Sequence, residues 1–303
     1  TDLDIDVLGS VETLFPPVFI KQLIDKYARD PDWQGDLELK GDGSLLFNER
    51  RGGPLKLWQR MDKEMKPEPS IYVFGVDPSH GTGATPSCVS GINGRTGEKV
   101  FQYTNPNIEP TPLGHLMIAV LQHWKDQDGT GANLIWEIQG PGAVFGKRIL
   151  ESGYRRLYQR PTGVDYGFGY GSRSSENYGW SADAKAKDNA ILGYKDGLKG
   201  SEKGRCLNHS KESLNDCLKF AFLPNGHNEH SGEASKENYS GARINHGYMV
   251  IADALAWKYT VELKRLATLS PSGEPEEIKV GSLAWRRLLR ENEPAASSGR
   301  PWA

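Results

Sequence analysis

The stretch that most constrains the fold runs from Ile71 to Gly83 and reads Ile-Tyr-Val-Phe-Gly-Val-Asp-Pro-Ser-His-Gly-Thr-Gly. Its first six residues are almost all apolar and rich in β-branched and aromatic types. That is the pattern of a strand buried on both faces, because a half-exposed strand alternates. The run stops at Asp77 and a glycine-rich turn follows, so a carboxylate emerges at a strand end where backbone can pass close by.

The segments that follow continue the sheet. Cys88 to Asn93 reads as a short strand, Gly94 to Gly97 as a turn, and Lys99 to Tyr103 as the returning strand, which together make an antiparallel meander. Thr111 and Pro112 read as the cap and first residue of a helix running to about Lys125. Ala132 to Trp136 is a second apolar strand, and it too ends on an acid, Glu137. Gly140, Pro141 and Gly142 then turn the chain into a helix over 143–152, and Leu157 with Tyr158 begins another short strand. Mixed sheets with helices on their faces place sites beyond the strand ends, so Asp77 and Glu137 can meet in one cleft.

Before this core, Phe19 to Tyr27 has helical spacing behind Pro16 and Pro17, Leu37 to Phe47 reads as a β-hairpin, and Leu55 to Trp58 as a further strand. After it, Ala184 to Leu198 and Leu214 to Phe222 read as helices, and the strongest late helix spans Gly247 to Leu266. Residues 1–69 are therefore expected to form an N-terminal extension packed on or linking to the core. The core domain is expected over 70–268 and a flexible tail over 269–303, in which Val280 to Arg290 has the pattern of a short basic helix. The chain opens on Thr1 without Met, as a mature fragment or an excised piece would.

At 303 residues with 37% hydrophobic content there is material for a large core, and no apolar run approaches a membrane span. A net charge of −2 means that a nucleic-acid partner would need a local basic surface rather than bulk charge. Cys88, Cys206 and Cys217 match no ligand or disulfide spacing, as expected in a reducing cytoplasm.

Paired carboxylates at strand ends suit Mg²⁺ or Mn²⁺, which take hard oxygen ligands and activate water toward a phosphodiester. In the late helix Asp253 shares a stripe with His246, Met249, Ala256 and Thr260. An acid among Ala, Leu and Trp has two readings of equal weight here: a ligand in the cleft, or a carboxylate paired with a nearby Lys or Arg. His227 and His230 read as loop histidines rather than ligands, since no second pair completes a tetrahedral set. Gly142 to Lys147 imitates a phosphate loop, but the spacing fails and Arg148 stands where Ser or Thr must reach Mg²⁺. Asp77 with Gly81 and Thr82 is similar to the first phosphate loop of actin-like ATPases, yet their second aspartate loop and adenosine site are not found.

The ordered set of motifs resembles the nuclease domain of the tailed-phage large terminase subunit, from about Gly52 to Thr260. It comprises Gly53, Pro54, Leu57 and Trp58; Gly75, Val76, Asp77 and Gly81; Thr96 and Gly97; Glu137, Gly140 and Gly142; Gly153, Tyr154, Leu157 and Tyr158; Gly179, Trp180 and Ser181 with Lys185 or Lys187; and His246 and Gly247 leading into Ala252 to Ala256. The resemblance implies an α/β, RNase H-like mixed sheet, a three-stranded antiparallel meander followed by parallel strands, flanked by helices. It implies a metal-dependent endonuclease that cuts concatemeric double-stranded DNA with little sequence specificity, acting as a viral protein in the host cytoplasm with a small terminase subunit and a portal as partners. Asp77 and Glu137 become metal-binding catalytic acids on Mg²⁺ or Mn²⁺. The family's third acid follows the late histidine by two residues, where this chain has Tyr248. Asp253 is the nearest replacement, making Asp77, Glu137 and Asp253 the expected catalytic and metal set, with Asp183 a weaker substitute. Basic residues between Arg148 and Arg173, with Lys185 and Lys187, are candidate phosphate contacts. No nucleotide-binding motif is found, so DNA translocation is expected of another chain or domain. The alternative reading is a catalytically weak DNA-binding or docking module that keeps the fold.

Overall fold

The computed structural model describes residues 13–160, 177–201, 204–222, 227–231 and 247–269. The chain divides into two compact units, Thr1–Leu263 and Lys264–Ala303, and the features below belong to the first.

The apolar run before Asp77 forms strand β4 (Tyr72–Asp77), buried along its whole length. It pairs antiparallel with β5 (Ser87–Asn93), and β5 pairs antiparallel with β6 (Lys99–Asn105), giving the expected meander. On its other side β4 pairs in parallel with β7 (Asn133–Trp136), reached through helix α2 (Pro110–His123). Leu157 makes a parallel bridge to Leu134 beyond β7. The structure is thus an RNase H-like mixed sheet. The N-terminal region extends it: α1 (Pro17–Tyr27) precedes β1 (Trp33–Leu39), β2 (Leu45–Glu49) and β3 (Leu55–Leu57), and β3 pairs with β6. The seven strands lie in the order β2-β1-β3-β6-β5-β4-β7.

Both faces are covered, which is why β4 does not alternate. Phe74, Leu134 and Trp136 pack with α2 and α3 (Pro141–Glu151) on one face. Val73 and Ile135 pack on the other with α1, α4 (Ala184–Lys199), α5 (Lys211–Cys217) and α6 (Tyr248–Leu269). From Met249 to Tyr259 every residue of α6 except Lys258 is buried, so the helix is enclosed nearly all round. It approaches β4 closely because Gly75 has no side chain: a Cβ there would stand 2.2 Å from the Ala252 carbonyl oxygen.

Two local expectations are corrected. Helix α2 starts at Pro110 with Glu109 before it and no side-chain cap, so Thr111 lies inside the helix rather than capping it. Leu214 to Phe222 is not one helix: α5 ends at Cys217, and Phe220–Phe222 forms β8, which pairs antiparallel with β9 (Asn228–His230). Continuous apolarity over a few residues does not separate a short helix from a short strand. No helix among the described residues is long and apolar enough to cross a membrane. The tail from residue 270, including the stretch Val280 to Arg290, lies outside the described residues.

Candidate functional site

The parallel pairing of β4 and β7 brings the two acids together. Val76 is in register with Trp136, and the Glu137 N–H donates to the Val76 carbonyl at 3.2 Å. Val76 and Trp136 face the α2/α3 side, so the next residue on each strand, Asp77 and Glu137, turns to the opposite side. Both acids line one cleft of about 490 Å³.

Several short contacts fix the walls. A Cβ at Gly142 would lie 1.7 Å from the Glu137 carbonyl oxygen, so this position lets α3 start directly against the acid's backbone. The start of α3 contributes Gln139, Gly140 and Pro141 to the cleft and directs the positive end of the helix dipole toward it. Gln139 ties this wall to the next one: its amide donates to Ser181 Oγ at 2.9 Å and its carbonyl accepts the Ala182 N–H at 3.0 Å. Lys187, in the first turns of α4, lines the cleft and supplies a cation. Ile251 of α6 adds an apolar wall. The turn after Asp77 is pinned by the Ser79 N–H donating to Ser87 Oγ at 2.9 Å, and it presents His80, which is exposed, at the rim.

The donor set fits a hard divalent cation. Mg²⁺ and Mn²⁺ are commonly held by one or two carboxylates and complete their shell with water and substrate phosphate oxygens. Two carboxylates on adjacent strand ends that line one cleft have that character. Among the described residues no group of three or more His, Cys, Asp or Glu side chains is arranged to hold a metal.

Asp253, expected as the third member, is placed elsewhere. It is 1% exposed and is not among the cleft-lining residues. Ile251 faces the cleft, and two residues further along a helix the direction has turned by about 200°. Asp253 Oδ1 lies 2.7 Å from Lys99 Nζ and accepts from Ser90 Oγ. Its Oδ2 accepts from Asn208 Nδ2 at 2.9 Å, from the Tyr194 hydroxyl at 3.2 Å and from Ser213 Oγ. Burial pushes the Tyr194 phenol well up, with Asp253 adding to the effect, so it stays a protonated donor. Four hydrogen-bond donors fill the about four lone-pair positions of a carboxylate, and the Lys99 ammonium sits against it as an ion pair, which leaves no face for a metal. The paired-carboxylate reading of Asp253 is the one that matches this geometry.

The other candidates separate in the same way. Tyr248 is half-buried against Cys88, Met249 and Ala252, and Cys88 is in register with Asp77. Asp183 caps α4, accepting the Ala186 N–H at 2.8 Å. His227 Nδ1 is 2.6 Å from Asp188 Oδ2, and His230 Nε2 is 3.2 Å from Asp216 Oδ1, so both histidines pair with carboxylates. The three cysteines are buried and none is in a disulfide. His246 and the basic stretch from 161 to 173 lie outside the described residues.

His80, Gln139 and Ile251 were not anticipated as cleft residues. His80 and Gln139 stand two or three positions after the two acids, and a polar residue at that offset from a strand-end acid is the signal that would have found them.

No family model and no curated protein sequence matches the chain. Solved structures similar to it include the large terminase nuclease of the thermophilic phage G20c, at 15% identity and a TM-score of 0.44, covering 72% of this chain and 94% of that one. The same nuclease with bound magnesium is similar at 16% identity and a TM-score of 0.43, covering 72% and 93%. The large terminase nuclease domain of Thermus phage P74-26 is similar at 16% identity and a TM-score of 0.43, covering 71% and 90%.

Proposed function

We propose that this chain is a metal-dependent endonuclease domain that hydrolyses double-stranded DNA during viral genome packaging. The observation that carries this reading is the meeting of Asp77 and Glu137 at neighbouring parallel strand ends in one open cleft. The ordered motifs from Gly53 to Ala256 that resemble the terminase nuclease supply the packaging context, and with it the small terminase subunit and portal as partners.

Asp77 and Glu137 would hold Mg²⁺ or Mn²⁺, which when bound supplies Lewis-acid stabilisation of charge on the phosphodiester. The residues of the chain do the rest. Lys187 lines the same cleft as the acids and would draw a phosphate oxygen toward it. The start of α3 directs the positive end of its dipole toward the same space. The Ser79–Ser87 contacts hold the backbone of the turn after Asp77 against β5. Contacts of this kind are to the DNA backbone, which carries no base identity, so low sequence specificity follows.

A second reading is a DNA-binding or docking module with weak catalysis, and Tyr248 favours it. A phenol stands where the resemblance expects an acid, and neutral phenols are poor Mg²⁺ ligands. Plasmid cleavage with Mn²⁺, compared with Asp77→Ala, separates the two. Cutting by the wild type alone supports the nuclease, and equal inertness at high protein concentration supports the module.

A further inference from the structure

We propose that Lys99 and Asp253 are positioning residues of the cleft: their buried ion pair, with the hydrogen bonds gathered on the same carboxylate, fastens α4 and α6 to the sheet and so sets where Lys187 and Ile251 stand in the cleft they line with Asp77 and Glu137. The proposal rests on the nuclease reading for its functional consequence.

The pair joins elements that are remote in sequence. Lys99 comes from β6, Ser90 from β5, Tyr194 from α4, Asn208 from the segment before α5, Ser213 from α5, and all converge on one carboxylate of α6. Asn208 Nδ2 also reaches the Tyr194 hydroxyl at 2.8 Å and Ser213 Oγ at 3.2 Å, closing the network on itself. Lys99 and Asp253 side chains are 1% and 2% exposed.

Hydrophobic burial alone does not account for such a cluster. The desolvation penalty of a buried ion pair can exceed its Coulombic gain, and apolar replacements of similar volume are often neutral or stabilising. What the polar network adds is direction, since each hydrogen bond is satisfied at only one register of helix against sheet.

The placement of the network makes that direction relevant to the cleft. Tyr194 lies seven residues after Lys187 on α4. That is close to two turns, about 10.5 Å along the same helix face, so the face held at Tyr194 is the one that presents Lys187. Ser90 is in register with Gly75, two residues before Asp77 and about 7 Å along the strand. Gly75 is also where α6 touches the sheet backbone. The network therefore sits about two residues along the strand from Asp77 and holds both helices that contribute Lys187 and Ile251 to the cleft.

The test uses the full chain with both partners exchanged, Lys99→Met with Asp253→Leu, so that no buried charge is left alone. Amide hydrogen exchange over residues 184–190 reads α4 placement, and free-Mn²⁺ titration with plasmid cleavage at saturating DNA reads the site. The double variant is expected to fold with a lower thermal midpoint, because Ser90, Tyr194, Asn208 and Ser213 lose a buried acceptor, to exchange 184–190 about tenfold faster relative to 72–77, and to cleave ~10-fold more slowly. Wild-type exchange at 184–190 overturns the proposal whatever cleavage does, and so does wild-type cleavage by the folded double variant. A wild-type protein that neither binds Mn²⁺ nor cuts DNA instead overturns the nuclease reading, and exchange then decides whether the pair holds α4. Should the double variant not fold, Ser213→Ala removes one donor and leaves the ion pair. A smaller rise in exchange at 184–190 supports the proposal, and none overturns it.

Discussion

Glu137 donates its backbone N–H to the carbonyl of Val76, the residue before Asp77, at 3.2 Å. This one bond between parallel strands sets two acids sixty residues apart in sequence on adjacent chain ends. Neighbouring strands are about 4.8 Å apart, so the two side chains start close enough for a cation between them to be tested.

Removing either charge while keeping its shape should abolish the metal response. Mn²⁺ is expected to raise the thermal midpoint of the wild type, because a ligand that binds only the folded state stabilises it. Asp77→Asn and Glu137→Gln should show no such rise, and their cleavage rates should fall ~100-fold or more, equivalent to about 2.7 kcal/mol of lost transition-state stabilisation. Differential scanning fluorimetry with and without EDTA, alongside plasmid nicking, checks both.

Lys187→Gln should weaken DNA binding evenly across sequences. One fewer phosphate contact reduces the slope of log affinity against log salt by about 1. Fluorescence anisotropy of two unrelated duplexes at several salt concentrations measures this, and a sequence-dependent loss would assign the lysine to a base contact instead.

Gly75→Val should be destabilising although the residue is apolar and sits in a strand. Its Cβ would meet the Ala252 carbonyl oxygen at 2.2 Å and the Ala256 nitrogen at 2.5 Å, both backbone atoms of α6. Overpacking of this kind costs about 1–3 kcal/mol, read as a lower urea midpoint with an unchanged slope.

His123 gives a pH prediction. Burial is the largest influence on its imidazole and lowers its pKa from the ordinary 6.5, while the Met65 carbonyl at 2.6 Å from Nε2 acts in the opposite sense. The unfolded chain therefore binds this proton more readily than the folded one. Its contribution to stability is complete above pH 6.5 and is lost as pH falls through the folded value. Urea unfolding between pH 8 and pH 5 should show that decline, and His123→Gln should flatten it.

The fold was readable wherever burial alone decides local structure. Val73 to Val76 and Leu134 to Trp136 are apolar on both faces, and their ends at Asp77 and Glu137 marked the cleft. The extent of Leu214 to Phe222 was not readable, because a short apolar run fits a helix or a strand. Asp253 shows a different limit: its helical stripe is the same whether it meets a metal or a lysine. Its partner Lys99 is 154 positions earlier, at the start of a strand where a lysine ordinarily faces solvent. Only the tertiary arrangement identifies that pair.

The central claim is that Asp77 and Glu137 share a divalent cation, and anomalous diffraction from a crystal soaked in Mn²⁺ tests it most directly. An anomalous peak within about 2.0–2.6 Å of oxygens of both carboxylates, with Asp253 still bound to Lys99, is the predicted result. A soaked crystal with no peak between the two acids, or one with the metal on Asp253, contradicts it.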